Sequence, residues 1–185
     1  INGLAWINDF RRVLIEGFSR VDALEFIRRG FTGKRIRYDE KVGEKILECI
    51  GEPYVPYFIS AFLNLVFQRV EESVDAGFIE RVYSDELLGV YGKGYFDYYR
   101  CRLRLYPEGT AKAAEEILKE VCLVDEGYPR DLAFNIFREE TGSEDYEEFM
   151  DLIFDLENDF YIKIEDKEIR FRSKILRDWW RLYYD

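Results

Sequence analysis

The sequence predicts a mainly α-helical protein in which a bundle of helices is followed by three more helices, a β-hairpin and a last helix. Apolar residues recur at spacings of three and four through most of the chain, as is typical of amphipathic helices. Period-two alternation, which is typical of strands, is clearest at 160–164 and 169–173. Apolar residues make up 48% of the 185 positions, which is enough for a packed core.

Two helices are predicted near the start of the chain by their caps and their apolar lines. Ser19, followed three residues later by Asp22, is similar to a capping box with an aspartate in place of Glu or Gln. The helix that follows is expected to end at Gly30, and its apolar line is Val21, Leu24 and Ile27. Asp39 can cap the next helix, which Gly51 closes, and its apolar line is Val42, Ile46, Leu47 and Ile50.

A rigid corner at 50–58 (IGEPYVPYF) separates the second helix from the third. It contains Pro53 and Pro56, and proline is tolerated in the first turn of a helix, where its missing N–H would be unpaired anyway. The third helix has a wide apolar face, formed by Val55, Phe58, Ile59, Phe62, Leu63, Val66 and Val70. Residues 78–106 also have a helical pattern, although 100–106 (RCRLRLY) alternates like a strand.

The second part of the chain has the order of elements of a winged-helix domain. Thr110 is expected to cap its first helix and Ser143 its third, while Pro129 opens the second helix and Gly142 ends it. The two alternating segments predict a β-hairpin around a short charged turn, and Ser173 is expected to cap the last helix. Three helices, a hairpin and a last helix are typical of a helix-turn-helix with a β-wing.

The charge distribution predicts a domain boundary near residue 107. Residues 1–106 contain 16 Lys and Arg against 16 Asp and Glu, whereas 107–185 contain 11 against 22. The whole net charge of −11 therefore lies in the second part. This change coincides with the helix-breaking YPEGT at 106–110, as expected for the start of a separate domain.

Composition excludes several classes of protein. Histidine is absent, so His-dependent triads and His-ligated zinc sites are excluded. Cys49, Cys101 and Cys122 are odd in number and lack paired spacing, which favours reduced thiols and a cytoplasmic location. The most apolar run, at 54–67, has 14 residues, fewer than the roughly 20 that a bilayer requires, so we expect no membrane partner.

Four segments carry a resemblance to a known family: IGEPYVPYF, LLGVYGKGYFDYYRCRLRLYPEG, LENDFYI and FRSKILRDWWRLYY. In this order they resemble the C-terminal half of the archaeal-type P-loop ATPases of the AAA+/STAND group, over nearly all 185 residues. LENDFYI followed by FRSKILRDWW is the most specific part. The resemblance implies a domain order of 1–17 for the tail of a nucleotide-binding core, 18–72 for a helical lid, 73–106 for a helical connector and 107–185 for a winged-helix domain.

The same resemblance gives the corner a possible role. Gly51-Glu52-Pro53 is similar to the GxP motif of the family's lid, which implies that Pro53 lies against the adenine of bound ATP or ADP. Glycine can end a helix with a positive φ, and proline presents a rigid apolar face. The alternative is a plain corner between two helices. Because the first residue is Ile1 rather than Met, we expect the sequence to be a piece of a longer protein; the alternative is that leading residues were disordered or trimmed.

The catalytic parts of such an ATPase are not found in this sequence. A P-loop needs GxxxxGK[ST], but Gly33-Lys34 is followed by Arg35, and Gly92-Lys93 is followed by Gly94. We therefore predict that the chain contains no catalytic or metal-binding residue. In the intact parent protein, ATP or ADP with Mg²⁺ would be held by the absent P-loop core. The predicted function is that of a non-catalytic lid that closes over this nucleotide. The winged helix would relay the nucleotide state to another domain, another protein or a second copy.

The predicted third helix of the winged-helix domain is too acidic to favour DNA binding. Residues 143–159 contain eight acids, and no Lys or Arg occurs between Arg138 and Lys163. The wing and the last helix are more basic, and their candidate contact residues for phosphate or a partner are Arg170, Arg172, Lys174, Arg177 and Arg181. These cations could instead balance acids within the chain. The alternative function, a stand-alone winged-helix DNA-binding protein, predicts a salt-dependent shift with duplex DNA.

Aromatic residues predict two further contact sites. Trp179 and Trp180 follow Ile175 and Leu176 at i+4 spacing, which favours a stripe packed in the core. One of two adjacent tryptophans is nevertheless expected to point elsewhere, where it could contact a partner. The segment YGKGYFDYYRCRLRLY at 91–106 interleaves tyrosines with Lys and Arg. Such a segment can bind single-stranded nucleic acid, or it can be a solvated helix whose aromatic side faces inward.

Overall fold

The computed structural model describes residues 17–70 and 73–184, and over these ranges the protein is mainly helical with a few short strands. The mainly α-helical class is therefore confirmed. The predicted core tail at 1–17 lies outside the described residues, except for Gly17. Within the described ranges, no helix is both long enough and apolar enough to cross a bilayer.

The first part of the described chain contains three helices, α1 (Arg20–Lys34), α2 (Lys41–Ile50) and α3 (Pro56–Arg69). The Ser19 hydroxyl oxygen accepts a hydrogen bond from the Asp22 backbone N–H at 3.2 Å. The Asp39 carboxylate accepts one from the Lys41 N–H at 2.7 Å. Both predicted caps are confirmed, because each side chain takes up a backbone donor that the first helical turn leaves unpaired.

The predicted end of α1 at Gly30 is wrong. The helix continues to Lys34, and Arg35, with a φ of 57°, closes it. A Cβ at Gly30 would lie 3.3 Å from the Phe67 ring of α3, and the next residue, Phe31, is fully buried. The extra turn is thus held by packing on α3, which outweighs the cost of about 1 kcal/mol for a glycine inside a helix.

The middle of the chain contains a pair of very short strands and three helical segments. Strands β1 (Arg37–Tyr38) and β2 (Ser73–Val74) pair in parallel. They are followed by α4 (Ala76–Arg81), a π-helical segment (Val82–Leu87) and α5 (Lys93–Leu103). The strand considered for 100–106 is wrong, because α5 runs through most of that segment and buries Phe96 and Leu103 at helical spacing.

The last part of the chain combines helices with a small three-stranded sheet. Its elements are α6 (Glu108–Leu123), β3 (Tyr128–Pro129), α7 (Arg130–Thr141), α8 (Tyr146–Asn158), β4 (Ile162–Glu165), β5 (Glu168–Phe171) and α9 (Lys174–Tyr184). The predicted hairpin is present: β4 and β5 pair antiparallel, with Ile162 opposite Phe171 and Glu165 opposite Glu168. Strand β3 adds to the free edge of β5, so β5 is the central strand. Strand β3 was not predicted, because two residues are too short for a period-two pattern.

Two caps in this part are as predicted and two are not. Pro129 precedes α7, and Gly142, with a φ of 71°, ends it. Thr110 does not cap α6, because the helix already begins at Glu108 and the Thr110 hydroxyl donates to a carbonyl inside the first turn. Ser143 does not cap α8 either. That role falls to the next acid along the chain, Asp145, whose carboxylate accepts from the Glu147 N–H at 2.8 Å.

Helix α9 is buried on two sides, and this overturns the prediction that one tryptophan faces outward. Trp179 and Trp180 are 1% and 0% exposed. Trp179 stacks on Phe96 of α5, with ring centroids 5.3 Å apart, while Trp180 lies 6.0 Å from the rings of Tyr161 and Phe171. Neighbouring residues can both be buried because α9 lies between the middle helices and the hairpin.

The buried side chains form one contiguous cluster that extends through all three parts of the described chain. Phe58 of α3 packs on Phe96 of α5, which in turn packs on Trp179 of α9. The boundaries at 72 and 107 remain predictions, because a shared core is compatible with separate domains that pack closely.

Candidate functional site

A cleft of about 680 Å³ lies between the corner that joins α2 to α3 and the point where β5 leads into α9. This volume is within the range of roughly 300–1,000 Å³ that is usual for small-molecule sites. Two acids line it, Glu52 and Asp125. Six cations also line it: Arg20, Lys163, Arg170, Arg172, Lys174 and Arg177. The wall is therefore positively charged, although the chain as a whole is acidic.

The corner between α2 and α3 forms one wall of the cleft. Gly51 ends α2 with a φ of 70° and a ψ of 167°, and its N–H donates to the Leu47 carbonyl at 2.8 Å. Pro53 follows after a cis peptide bond and lines the cleft. Phe18 donates its N–H to the Tyr54 carbonyl at 2.9 Å, which fixes the chain entering α1 against the corner. Of the two predicted nucleotide contacts, Pro53 lines the cleft and Gly51 does not.

The opposite wall is the start of α9. Arg172 lines the cleft, and its guanidinium lies 5.0 Å from the centre of the Phe160 ring. Within the described residues, Arg172 has no carboxylate at ion-pair distance. Ser173 occupies the predicted cap position, since Arg177 donates its N–H to the Ser173 carbonyl at 3.0 Å. The Ser173 hydroxyl is fully buried and makes no hydrogen bond to a described residue, so the side chain itself does not cap α9.

Other cations of the wall are balanced by acids of the same chain. Arg170 pairs with Glu168 at 2.8 Å, and Arg177 pairs with Asp125 at 2.7 Å. Arg181 lies outside the cleft lining: its guanidinium donates to the Cys122 carbonyl at 2.6 Å and 2.9 Å. Arg181 also pairs with Asp125 at 3.2 Å, and Lys174 pairs with Asp178 at 2.7 Å, so four of the five predicted contact cations have an acid of the same chain at ion-pair distance.

Lys174 connects the cleft to a polar cluster behind it. Its ammonium donates to the Asp178 carboxylate at 2.7 Å and to the Cys49 carbonyl at 3.1 Å. The Tyr83 hydroxyl donates to the same Asp178 oxygen at 2.8 Å. Burial raises the pKa of the Cys49 thiol to about 11, and burial together with the Asp178 charge raises the pKa of the Tyr83 hydroxyl. Both groups therefore keep their protons at neutral pH, so Tyr83 can act as a donor.

Some acids of the segment 143–159 bind other residues of the same chain. Asp159 accepts from the Arg102 guanidinium and from the Tyr106 hydroxyl, the latter at 2.8 Å. Arg102, predicted as part of a nucleic-acid contact, is thus turned towards an internal acid. The acids that remain exposed on α8 are Glu147, Glu148, Asp151 and Asp155. The outer face of this helix is therefore negative, which disfavours contact with phosphates.

The comparisons leave the family resemblance as an expectation. No family model and no curated protein matched the chain. Within the described residues, no group of three or more Cys, Asp or Glu side chains is placed to hold a metal ion. Sequence reasoning also missed Asp178 and Tyr83. The spacing of four between Lys174 and Asp178 is a signal for an ion pair on a helix, but Tyr83 lies too far away in sequence for any local signal.

Proposed function

We propose that the chain is the lid and winged-helix region of a P-loop ATPase, and that the cleft holds one side of a nucleotide bound by the absent core. The observation that carries the proposal is that Pro53 and the cations Arg172 and Lys174 line one cleft. Pro53 is far from the two cations in sequence, and the fold brings them to the same cleft. An adenine would lie against the corner and the phosphates against the start of α9.

The charges and surfaces of the cleft fit this orientation. Pro53 offers a rigid apolar surface, on which a flat base can lie with little loss of conformational freedom. Arg172 has no competing carboxylate among the described residues, and a guanidinium binds phosphate oxygens in bidentate fashion. The positive end of the α9 dipole points in the same direction. Six cations line the cleft against two carboxylates, so the cleft suits phosphates, and the core would have to hold Mg²⁺.

In this proposal the described residues are non-catalytic. The lid would close over the nucleotide, and the winged-helix domain would pass on the nucleotide state through contacts with another domain or protein. Direct DNA reading through α8 is not favoured, because its outer face carries exposed carboxylates.

Nucleotide affinity of the protein extended by its upstream coding segment tests the proposal. We expect ADP to bind about tenfold more weakly to Arg172→Gln, because a hydrogen bond to a charged group contributes about 1.5 kcal/mol. Pro53→Ala should weaken ADP binding about threefold through lost apolar contact. Isothermal titration calorimetry measures both effects.

The matched control is Lys167→Gln, which removes an exposed cation of the hairpin turn outside the cleft. Its ADP affinity should equal that of the unaltered protein. Unchanged affinity in both cleft variants, or an upstream segment without GxxxxGK[ST], would contradict the proposal.

A further inference from the structure

Lys174 lines the cleft and also binds groups of the helices behind it. Its side chain is 38% exposed and lines the cleft, while its ammonium is held by groups on two other elements. An ammonium has three N–H donors. Two of them reach Asp178 and Cys49, and the Tyr83 hydroxyl lies 3.5 Å away. An anion that takes up more than one of the three N–H donors must therefore displace Asp178 or the Cys49 carbonyl.

On the corner side, Lys174 fastens α9 to the end of α2. The Cys49 carbonyl is among the last four of α2, which lack partners within the helix, and the ammonium takes up this acceptor. A Cβ placed at Gly51 would lie 2.5 Å from the Lys174 Cβ. The backbone of Gly51, at the end of α2, is thus in close contact with the side chain of Lys174, the first residue of α9.

On the other side, Asp178 fastens α9 to the π-helical segment. Tyr83, the second residue of that segment, is buried and donates to the Asp178 carboxylate. Arg177 also contacts Asp178, at 3.2 Å. Asp178 would therefore keep one cation if Lys174 turned away, and the cluster would not be left with an unpaired, half-buried carboxylate, which is costly.

We propose that Lys174 is a switch that binds either the Asp178–Cys49 cluster or a phosphate group in the cleft. This inference rests on the proposed function, and it adds a route by which the presence of phosphate in the cleft changes the contact between α2 and α9. When the ammonium turns to an anion, the Cys49 carbonyl loses its partner and α9 loses this contact to the end of α2, while the hydrogen bond from Tyr83 to Asp178 remains. When the cleft is empty, the cluster holds the lid and the last helix together.

Hydrogen exchange of this chain with and without inorganic pyrophosphate tests the switch. We expect pyrophosphate to accelerate amide exchange at least threefold in the peptide covering 47–51, because that segment loses its contact to Lys174. The peptide covering 82–87 should not change, because Tyr83 keeps its hydrogen bond to Asp178. Lys174→Met should show the faster exchange without ligand and no further change with it. Peptides of α7 serve as an internal reference for global unfolding, because that helix makes none of these contacts.

Two further variants separate the switch from general destabilisation. Tyr83→Phe removes only the hydroxyl that reaches Asp178, so exchange should rise in 82–87 while α7 is unchanged. Lys167→Met removes an exposed cation away from the cluster, and its exchange should match that of the unaltered chain with and without pyrophosphate.

The outcomes distinguish this inference from the proposed function. If calorimetry detects pyrophosphate binding but exchange in 47–51 does not change, the switch is wrong and the nucleotide cleft remains. The switch is also overturned if Lys174→Met exchanges like the unaltered chain, or if pyrophosphate does not bind. In these cases the ADP affinities of the Pro53 and Arg172 variants decide the proposed function independently.

Discussion

The Gly51→Ala variant should unfold with a free energy about 3 kcal/mol lower than that of the unaltered chain. Gly51 has a φ of 70° and a ψ of 167°, a region that is essentially restricted to glycine and costs other residues about 1–3 kcal/mol. The added methyl would also lie 2.5 Å from the Lys174 Cβ, and overpacking of this kind costs about 1–3 kcal/mol. Urea denaturation followed by circular dichroism measures the change.

The matched control for this prediction is Gly33→Ala. Gly33 lies in the last turn of α1, and a Cβ there would meet no atom within 4 Å. Alanine is favoured over glycine in a helix by about 1 kcal/mol, so this variant should be equally stable or more stable. Equal stability of Gly51→Ala and the unaltered chain would show that the corner does not hold the conformation described.

Trp179→Ala should lower the free energy of unfolding by about 3–5 kcal/mol, as is usual for removing a large buried aromatic side chain. Trp179 is 1% exposed and stacks between Phe96 of α5 and Tyr183 of its own helix, at 5.3 Å and 5.0 Å between ring centroids. Its loss would open a cavity where the last helix meets the middle helices. Chemical denaturation measures the effect.

The control for the tryptophan lies three residues further along the same helix. Leu182 is 59% exposed, so Leu182→Ala should change stability by no more than about 0.5 kcal/mol. A loss below 1 kcal/mol for Trp179→Ala would support the earlier expectation of an outward-facing tryptophan over the packing described.

Local signals in the sequence predicted much of the fold. Ser19 and Asp39 cap their helices as their spacing indicated, and period-two alternation found the hairpin. Local reasoning failed where tertiary packing decides. Gly30 does not end its helix because α3 packs on it, and Trp180 does not face outward because the hairpin covers it.

The candidate site could be predicted only in pieces. The corner with Pro53 and the basic residues of the hairpin and last helix were identified separately, but no local pattern indicates that they line one cleft. The hydrogen bond between Tyr83 and Asp178 spans 95 positions of sequence. Its geometry depends on how α9 packs between the π-helical segment and α2. This packing brings together residues that are distant in sequence, so no short stretch of the sequence indicates it.

The central claim is that the cleft binds the phosphates and the base of a nucleotide on opposite walls, and an NMR titration of this chain tests it most directly. Millimolar ADP should shift the backbone amide signals of Tyr54, Ser173 and Lys174, whereas pyrophosphate should shift only the latter two. Shifts centred on α8, or no shift at the start of α9 with either ligand, would contradict the claim.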